Sequence, residues 1–72
     1  MDLARILGAN VRAARKRRGW SQEALANEIE MKRSYVSDLE RGVRNPSIKA
    51  IARLADALGV EAWELMKPPA AP

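Results

Sequence analysis

Between residues 33 and 41 the chain places Arg33, Ser34, Tyr35, Ser37, Asp38 and Arg41 within nine positions. Read with helical period, Arg33, Ser34, Ser37 and Arg41 share one face opposite Val36 and Leu39, with Tyr35 and Asp38 on its flanks. Such a donor-rich face suits hydrogen bonding to the edges of bases and to phosphates. The Arg33 fork matches guanine O6 and N7, the alternative being a phosphate. Ser34 and Ser37 are short donors for bases or phosphates, or simply a solvated face. Tyr35 fits a thymine methyl or a phosphate, or lies on the preceding turn. Asp38 fits cytosine N4, or orients Arg33 or Arg41.

The composition narrows the chemistry further. The 72 residues contain no cysteine and no histidine. Disulfide frameworks, thiolate metal sites, thiol nucleophiles and imidazole bases are excluded. No convergent acid–base pair stands out, so no catalytic residue, metal or cofactor is expected. The net charge is +4, and it is unevenly spread: residues 1–20 carry +5, residues 21–45 carry −1, and residues 46–72 balance. The excess sits on Arg12 and on Arg15-Lys16-Arg17-Arg18, a patch that attracts polyanions through counterion release. The bland alternative for Lys16 and Arg17 is that they complement a helix dipole. No apolar run approaches membrane-spanning length. The start Met1–Arg5 has no basic region followed by an apolar run, so a cytoplasmic location is expected.

Five helices are predicted to position the donor face. Helix 1 spans Leu3 to Arg18, with Leu3, Leu7, Val11 and Ala14 as its stripe, Ile6 widening it, and Asp2 as N-cap. Gly8 in its interior costs about 1 kcal/mol against alanine, which points to close helix packing there. Gly19 ends the helix, and Trp20 covers the core edge. Ser21 caps helix 2, on which Leu25 and Ile29 form the stripe and small Ala26 lets the next helix cross closely. Glu30-Met31-Lys32 is the turn, with Met31 plugging the angle between the two helices. Helix 3 runs from Arg33 to Arg41 and Gly42 terminates it. Ser47 caps helix 4, whose apolar positions are Ile48, Ile51, Leu54, Ala55 and Leu58; Gly59 stops it, followed by Val60. Helix 5, Glu61 to Met66, precedes Pro68-Pro69, which forbid continuation. One domain, residues 1–67, and a frayed tail, residues 68–72, are expected.

These residues resemble the helix-turn-helix of the Cro/CI repressor family, also called the Xre family. The resemblance rests on Ser21-Gln22-Glu23, Leu25-Ala26, Ile29, Val36, Leu39-Glu40-Arg41-Gly42 and Arg44-Asn45-Pro46-Ser47, and it extends over residues 3 to 66. Arg33-Ser34-Tyr35-Val36-Ser37 with Arg41-Gly42 and Arg44-Asn45 also resembles the controller proteins of restriction–modification systems. The resemblance implies an all-α, five-helix, repressor-like DNA-binding domain in which helices 2 and 3 form the helix-turn-helix. It implies base contacts from Arg33, Ser34, Tyr35, Ser37 and Asp38. Backbone contacts would come from Ser21, Gln22, Lys32, Arg41, Arg44 and Asn45, with Gln22 holding a phosphate at a helix N-terminus. Asn45 has the alternative of simply making the turn before Pro46. Arg15 and Glu40 resemble the family's partly buried pair joining helix 1 to the end of helix 3. Two departures stand out: Glu30 occupies a left-handed position where the family has glycine, and Lys32 replaces its serine or threonine cap.

A domain of this size is marginally stable alone, and dimerisation would supplement it. Trp63, Leu65 and Met66 crowd a short helix 5, which points to a self-association surface, the alternative being plain core. The expected partners are therefore a double-stranded DNA operator of inverted-repeat symmetry and a second copy of the chain, and the expected role is transcriptional regulation. The rival from another class is an antitoxin-like or adaptor protein whose main partner is a protein.

Overall fold

Three of the helices begin at a residue whose side chain accepts hydrogen bonds from the first turn. In the computed structural model, which describes residues 2–68, the Asp2 carboxylate accepts from the Ala4 and Arg5 N–H groups at 3.1 and 3.3 Å and opens α1 (Leu3–Arg17). Ser21 Oγ accepts from Ala24 N–H at 3.0 Å and opens α2 (Gln22–Glu28). Ser47 Oγ accepts from Ala50 N–H at 3.1 Å and opens α4 (Ile48–Leu58). Each cap satisfies donors that the helix leaves unpaired. By contrast, α3 (Arg33–Glu40) and α5 (Ala62–Met66) begin without a side-chain cap, at Lys32 and Glu61. Tertiary packing must hold these two in place. Among the described residues all regular structure is helical. The tail at 69–72 lies outside them.

The turn between α2 and α3 keeps its geometry despite lacking glycine. Glu30 has φ +58°, the left-handed conformation that costs a side-chain-bearing residue about 1–2 kcal/mol. The Glu30 N–H donates to Asn27 O at 3.2 Å and the Met31 N–H to Ala26 O at 2.9 Å, the double bond pattern that closes a helix C-terminus. Arg53 Nη2 donates to Ile29 O at 2.6 Å and satisfies one more carbonyl of that end. The end of α3 repeats the pattern, with Gly42 N–H to Leu39 O and Val43 N–H to Asp38 O, both 3.1 Å.

The core forms where α2 and α3 pack on each other and α1 crosses α3, α4 and α5. Leu7, Val11, Leu25, Val36, Leu39, Leu54 and Leu65 are buried almost completely. Full burial of a leucine-sized side chain contributes about 1.5–3 kcal/mol. Gly8 is where α1 touches α3: a Cβ there would sit 2.4 Å from the Leu39 carbonyl oxygen and 2.8 Å from that of Glu40. The glycine in the helix interior is therefore a packing requirement, as its cost in helix propensity suggested. Asn10, on the same helix, donates from Nδ2 to the carbonyls of Leu65 and Lys67 at 2.8 and 2.7 Å and so ties down the end of α5.

Four apolar positions depart from the sequence reading. Leu3 and Ile48, assigned to core stripes, are 50% and 87% exposed. Both lie in the first turn of their helix, where the stripe overhangs the elements it packs on. Met31, expected to plug the angle between α2 and α3, is exposed at the mouth of a small cleft that it lines with Ile29, Tyr35, Ala50 and Arg53. Tyr35 fills that angle instead. Leu65, assigned to a dimer surface, is 2% exposed and belongs to the core. A five-residue helix must turn one large residue inward to be held at all, and Leu65 is that residue.

Candidate nucleic-acid interface

The exposed face of α3 carries Arg33, Ser34 and Arg41, with Ser37 and Asp38 half-buried beside them. Val36 and Leu39 on the opposite face are fully buried, so the core fixes how the donor face is turned. Arg33 has no hydrogen-bonding partner among the described residues, and its fork remains available. It borders a shallow open concavity with Ser21, Gln22, Glu23 and Asn27. The first residue of α3 and the first turn of α2 thus line one surface. Asp38 accepts from Arg41 Nη2 at 3.2 Å, so of the two arginines it could orient, it takes Arg41. Both side chains are substantially exposed, and this pair contributes little to stability.

Tyr35 does not join that face. It is 8% exposed, packed beside Ile29 and Ala50, and the Arg44 guanidinium lies over its ring at 4.8 Å from the centroid. Position 35 precedes Leu39 by one helical turn, which puts the ring on the core side of the flank. The packing favours the second of its two readings, a ring lying on the turn as a structural part of the angle between α2 and α3. The same contact assigns Arg44 a resting place, a cation stacked on an aromatic face, from which its head remains at the surface. Asn45 beside it is exposed, as are Ser21 and Lys32.

Behind the face lies a polar network. Arg15 Nε and Nη2 donate to the two Glu40 carboxylate oxygens at 2.7 and 2.9 Å, a bidentate pair. The two side chains are 10% and 4% exposed. Arg15 Nη1 also donates to Trp20 O at 2.8 Å. Gln22 Nε2 donates to Glu40 Oε1 at 3.1 Å. The hydrogen bond from Arg15 to Glu40 raises the arginine's pKa, with burial opposing it and the charge of Glu40 adding to it. A folded-state pKa above the unfolded one is stability present at neutral pH and lost, on the alkaline side, only as pH rises through the arginine's range in strong alkali. At neutral pH the pair therefore acts as a charged strut. It joins α1 to the C-terminal end of α3, and through Gln22 it also fixes the first turn of α2. No buried polar side-chain atom among the described residues lacks a partner.

Four contacts had no counterpart in the sequence reading: Arg44 on Tyr35, Arg53 on the end of α2, Asn10 on the end of α5, and Gln22 on Glu40, a side chain that had been assigned only to a phosphate. Each is a side-chain contact between different elements or loops, made by a residue whose type alone does not name its partner. Among the described residues no acidic cluster could hold a metal ion, and no helix is long and apolar enough to cross a membrane.

Comparison with known proteins gives this arrangement a family. The family profile described as Helix-turn-helix matches residues 11–63. A hypothetical transcription factor of Neisseria meningitidis is 44% identical over 68 residues, 94% of this chain and 64% of that protein. The chain thus spans just under two thirds of the length of that relative. The crystal structure of the Neisseria factor superposes with a TM-score of 0.90 over 94% of this chain and 78% of that one. The restriction–modification controller protein C.AhdI of Aeromonas hydrophila is similar at 44% identity and a TM-score of 0.82, over 86% of this chain and 94% of the controller. SinR, a master regulator for biofilm formation solved in complex with DNA, is 31% identical with a TM-score of 0.80, over 85% of this chain and 98% of the chain in that crystal structure. None of these relatives is an enzyme. With its profile match, its five helices and its Arg15–Glu40 strut, the chain belongs to the helix-turn-helix family of the Cro/CI (Xre) type.

Proposed function

We propose that the chain binds double-stranded DNA in a sequence-specific manner through α3 and regulates transcription by occupying an operator. The observation that carries this reading is the face of exposed Arg33, Ser34 and Arg41, with half-buried Ser37 among them, on a helix whose other face is fully buried. Arg33 at the first position of α3 reads a base edge, with Ser34 and Ser37 beside it. Asp38 positions Arg41 for the backbone. Ser21, Gln22, Lys32, Arg44 and Asn45 contact phosphates, which set register without reading sequence. The setting is the cytoplasm, where the DNA is.

The binding unit is a homodimer. Trp63 is 61% exposed on α5. Met66, half-buried, shares an apolar depression with Leu3 and Ile51. Trp63 and Met66 with these neighbours form the self-complementary surface that a twofold requires. Two copies then present α3 about 34 Å apart to an inverted repeat. Sequencing the DNA that the protein retains from a random duplex pool tests this reading. Enrichment of an inverted repeat with half-site centres about one helical turn apart is the expected result. Recovery of an unenriched pool, with no steep salt dependence of binding, contradicts it and favours a protein partner.

A further inference from the structure

The helix α1 carries five basic residues and no acidic one between Leu3 and Arg17. A surface that serves only solubility carries interspersed charges of both signs. Of the five, Arg15 is consumed by Glu40. Arg12 and Lys16 are exposed and have no hydrogen-bonding or ion-pair partner among the described residues. At 100° per residue they lie one turn apart on the same face, in line with Arg5 two turns before Arg12. That face adjoins the Gly8–Arg15 edge along which α1 meets the end of α3. The stem of Arg5 marks its inner end, passing Gly42, where a Cβ would lie 2.8 Å from Arg5 Cγ. At the outer end, Lys16 leads directly into the turn before Ser21 and Gln22.

From this placement we infer that Arg12 and Lys16 form a second phosphate-binding surface, one that holds the DNA backbone outside the inverted repeat. It rests on the DNA-binding reading above and extends it. The direction follows from the two ends of α1. Leu3 shares a depression with Met66 at the surface assigned to the twofold, so the N-terminal end faces the operator centre. Lys16 lies at the other end, about 20 Å further along the helix axis from Leu3, and so faces outward. The duplex carries one phosphate per about 3.4 Å of axis on each strand. Arg15, next to Lys16 on α1, lines the same concavity as Ser21 and Gln22, so a strand gripped at Gln22 runs on toward Lys16 and Arg12. Neither residue faces a base, so the surface adds affinity and leaves sequence preference unchanged.

The test compares two duplexes carrying the same selected operator. One is trimmed to the inverted repeat, and the other has about ten further base pairs on each side, one helical turn. The Arg12→Gln/Lys16→Gln variant is expected to show a salt slope shallower by about two on the flanked duplex, since each phosphate neutralised contributes about 0.9. On the trimmed duplex its slope should equal that of the wild type. Base preference in a random pool should be unchanged. The charge-preserving Arg12→Lys/Lys16→Arg variant should behave as wild type on both duplexes and separates lost charge from lost fold. An unchanged slope on the flanked duplex, or an equal loss on both, overturns the inference. Wild-type protein that retains no operator at all overturns the underlying DNA-binding reading instead.

Discussion

Glu40 ties α1 and the first turn of α2 to the end of α3. Its carboxylate accepts from Arg15 twice and from Gln22 once, and it is 4% exposed. Replacing it with alanine strands a guanidinium that keeps only the Trp20 carbonyl. Removing one partner of a buried pair costs about 3–5 kcal/mol, a large part of what so small a domain possesses. Glu40→Ala is therefore expected to unfold the protein or to lower its Tm sharply in a calorimetric scan; an unchanged Tm would mean that Arg15 and Glu40 are mere neighbours. Glu30 makes the opposite case. Its φ of +58° is strained, and its contact with Arg53 at 3.5 Å is exposed and weak. Glu30→Gly should leave stability unchanged or raise it by less than about 1 kcal/mol, the relief being offset by freedom gained in the unfolded chain. Denaturant melts that show a loss larger than that would contradict the left-handed turn. The resemblance made both residues legible in advance. The Tyr35 hydroxyl suggested the donor face, although the residue's spacing from Leu39 already put the ring on the core side.

At the scale of elements, the contact of α1 with α3 decides where α3, the proposed reading helix, sits. Gly8 lets the backbones meet, and the Arg15–Glu40 pair locks them together. Alanine at position 8 would gain about 1 kcal/mol in helix propensity. Its Cβ would meet backbone oxygen at 2.4 Å, which no side-chain rotation relieves. Overpacking of this kind costs about 1–3 kcal/mol. Gly8→Ala should therefore destabilise on balance and weaken DNA binding beyond the loss of folded protein, as binding measured well below the Tm will show. Equal or higher stability with intact binding would remove the close approach from the account. Helix periodicity and capping residues made the order of elements readable, to within a residue at each boundary of α1 and α3. They could not show that Leu3 and Ile48 would overhang, because a stripe continues to a helix end whether or not a neighbour covers it. Nor could they show the ties from Asn10 and Arg53, which depend on how distant helices are brought together.

For the whole molecule, the proposed operator binding raises the question of how one small domain reaches a site of useful length. A single α3 reads too few base pairs to be selective, and a twofold doubles the site. The exposed indole of Trp63 is the largest apolar group available for that contact. Trp63→Ala should therefore shift sedimentation at micromolar concentration from dimer toward monomer while the Tm of the dilute protein changes little. A wild-type protein that sediments as a monomer both alone and with DNA would contradict the twofold. Of the three residues the sequence offered for this proposed surface, Leu65 is buried, while Trp63 is exposed and Met66 half-buried. A helix of five residues is too short for its periodicity to show which face turns inward.

Arg33→Ala, measured on the selected operator and on random duplex at the same salt concentration, tests the central claim that α3 reads bases. Arg33 is exposed at the first position of α3, so the account predicts a loss of about 1–3 kcal/mol per half-site on the operator. Preference should relax at one base pair of each half-site, with much less change on random DNA. An equal loss of affinity on both duplexes would contradict it.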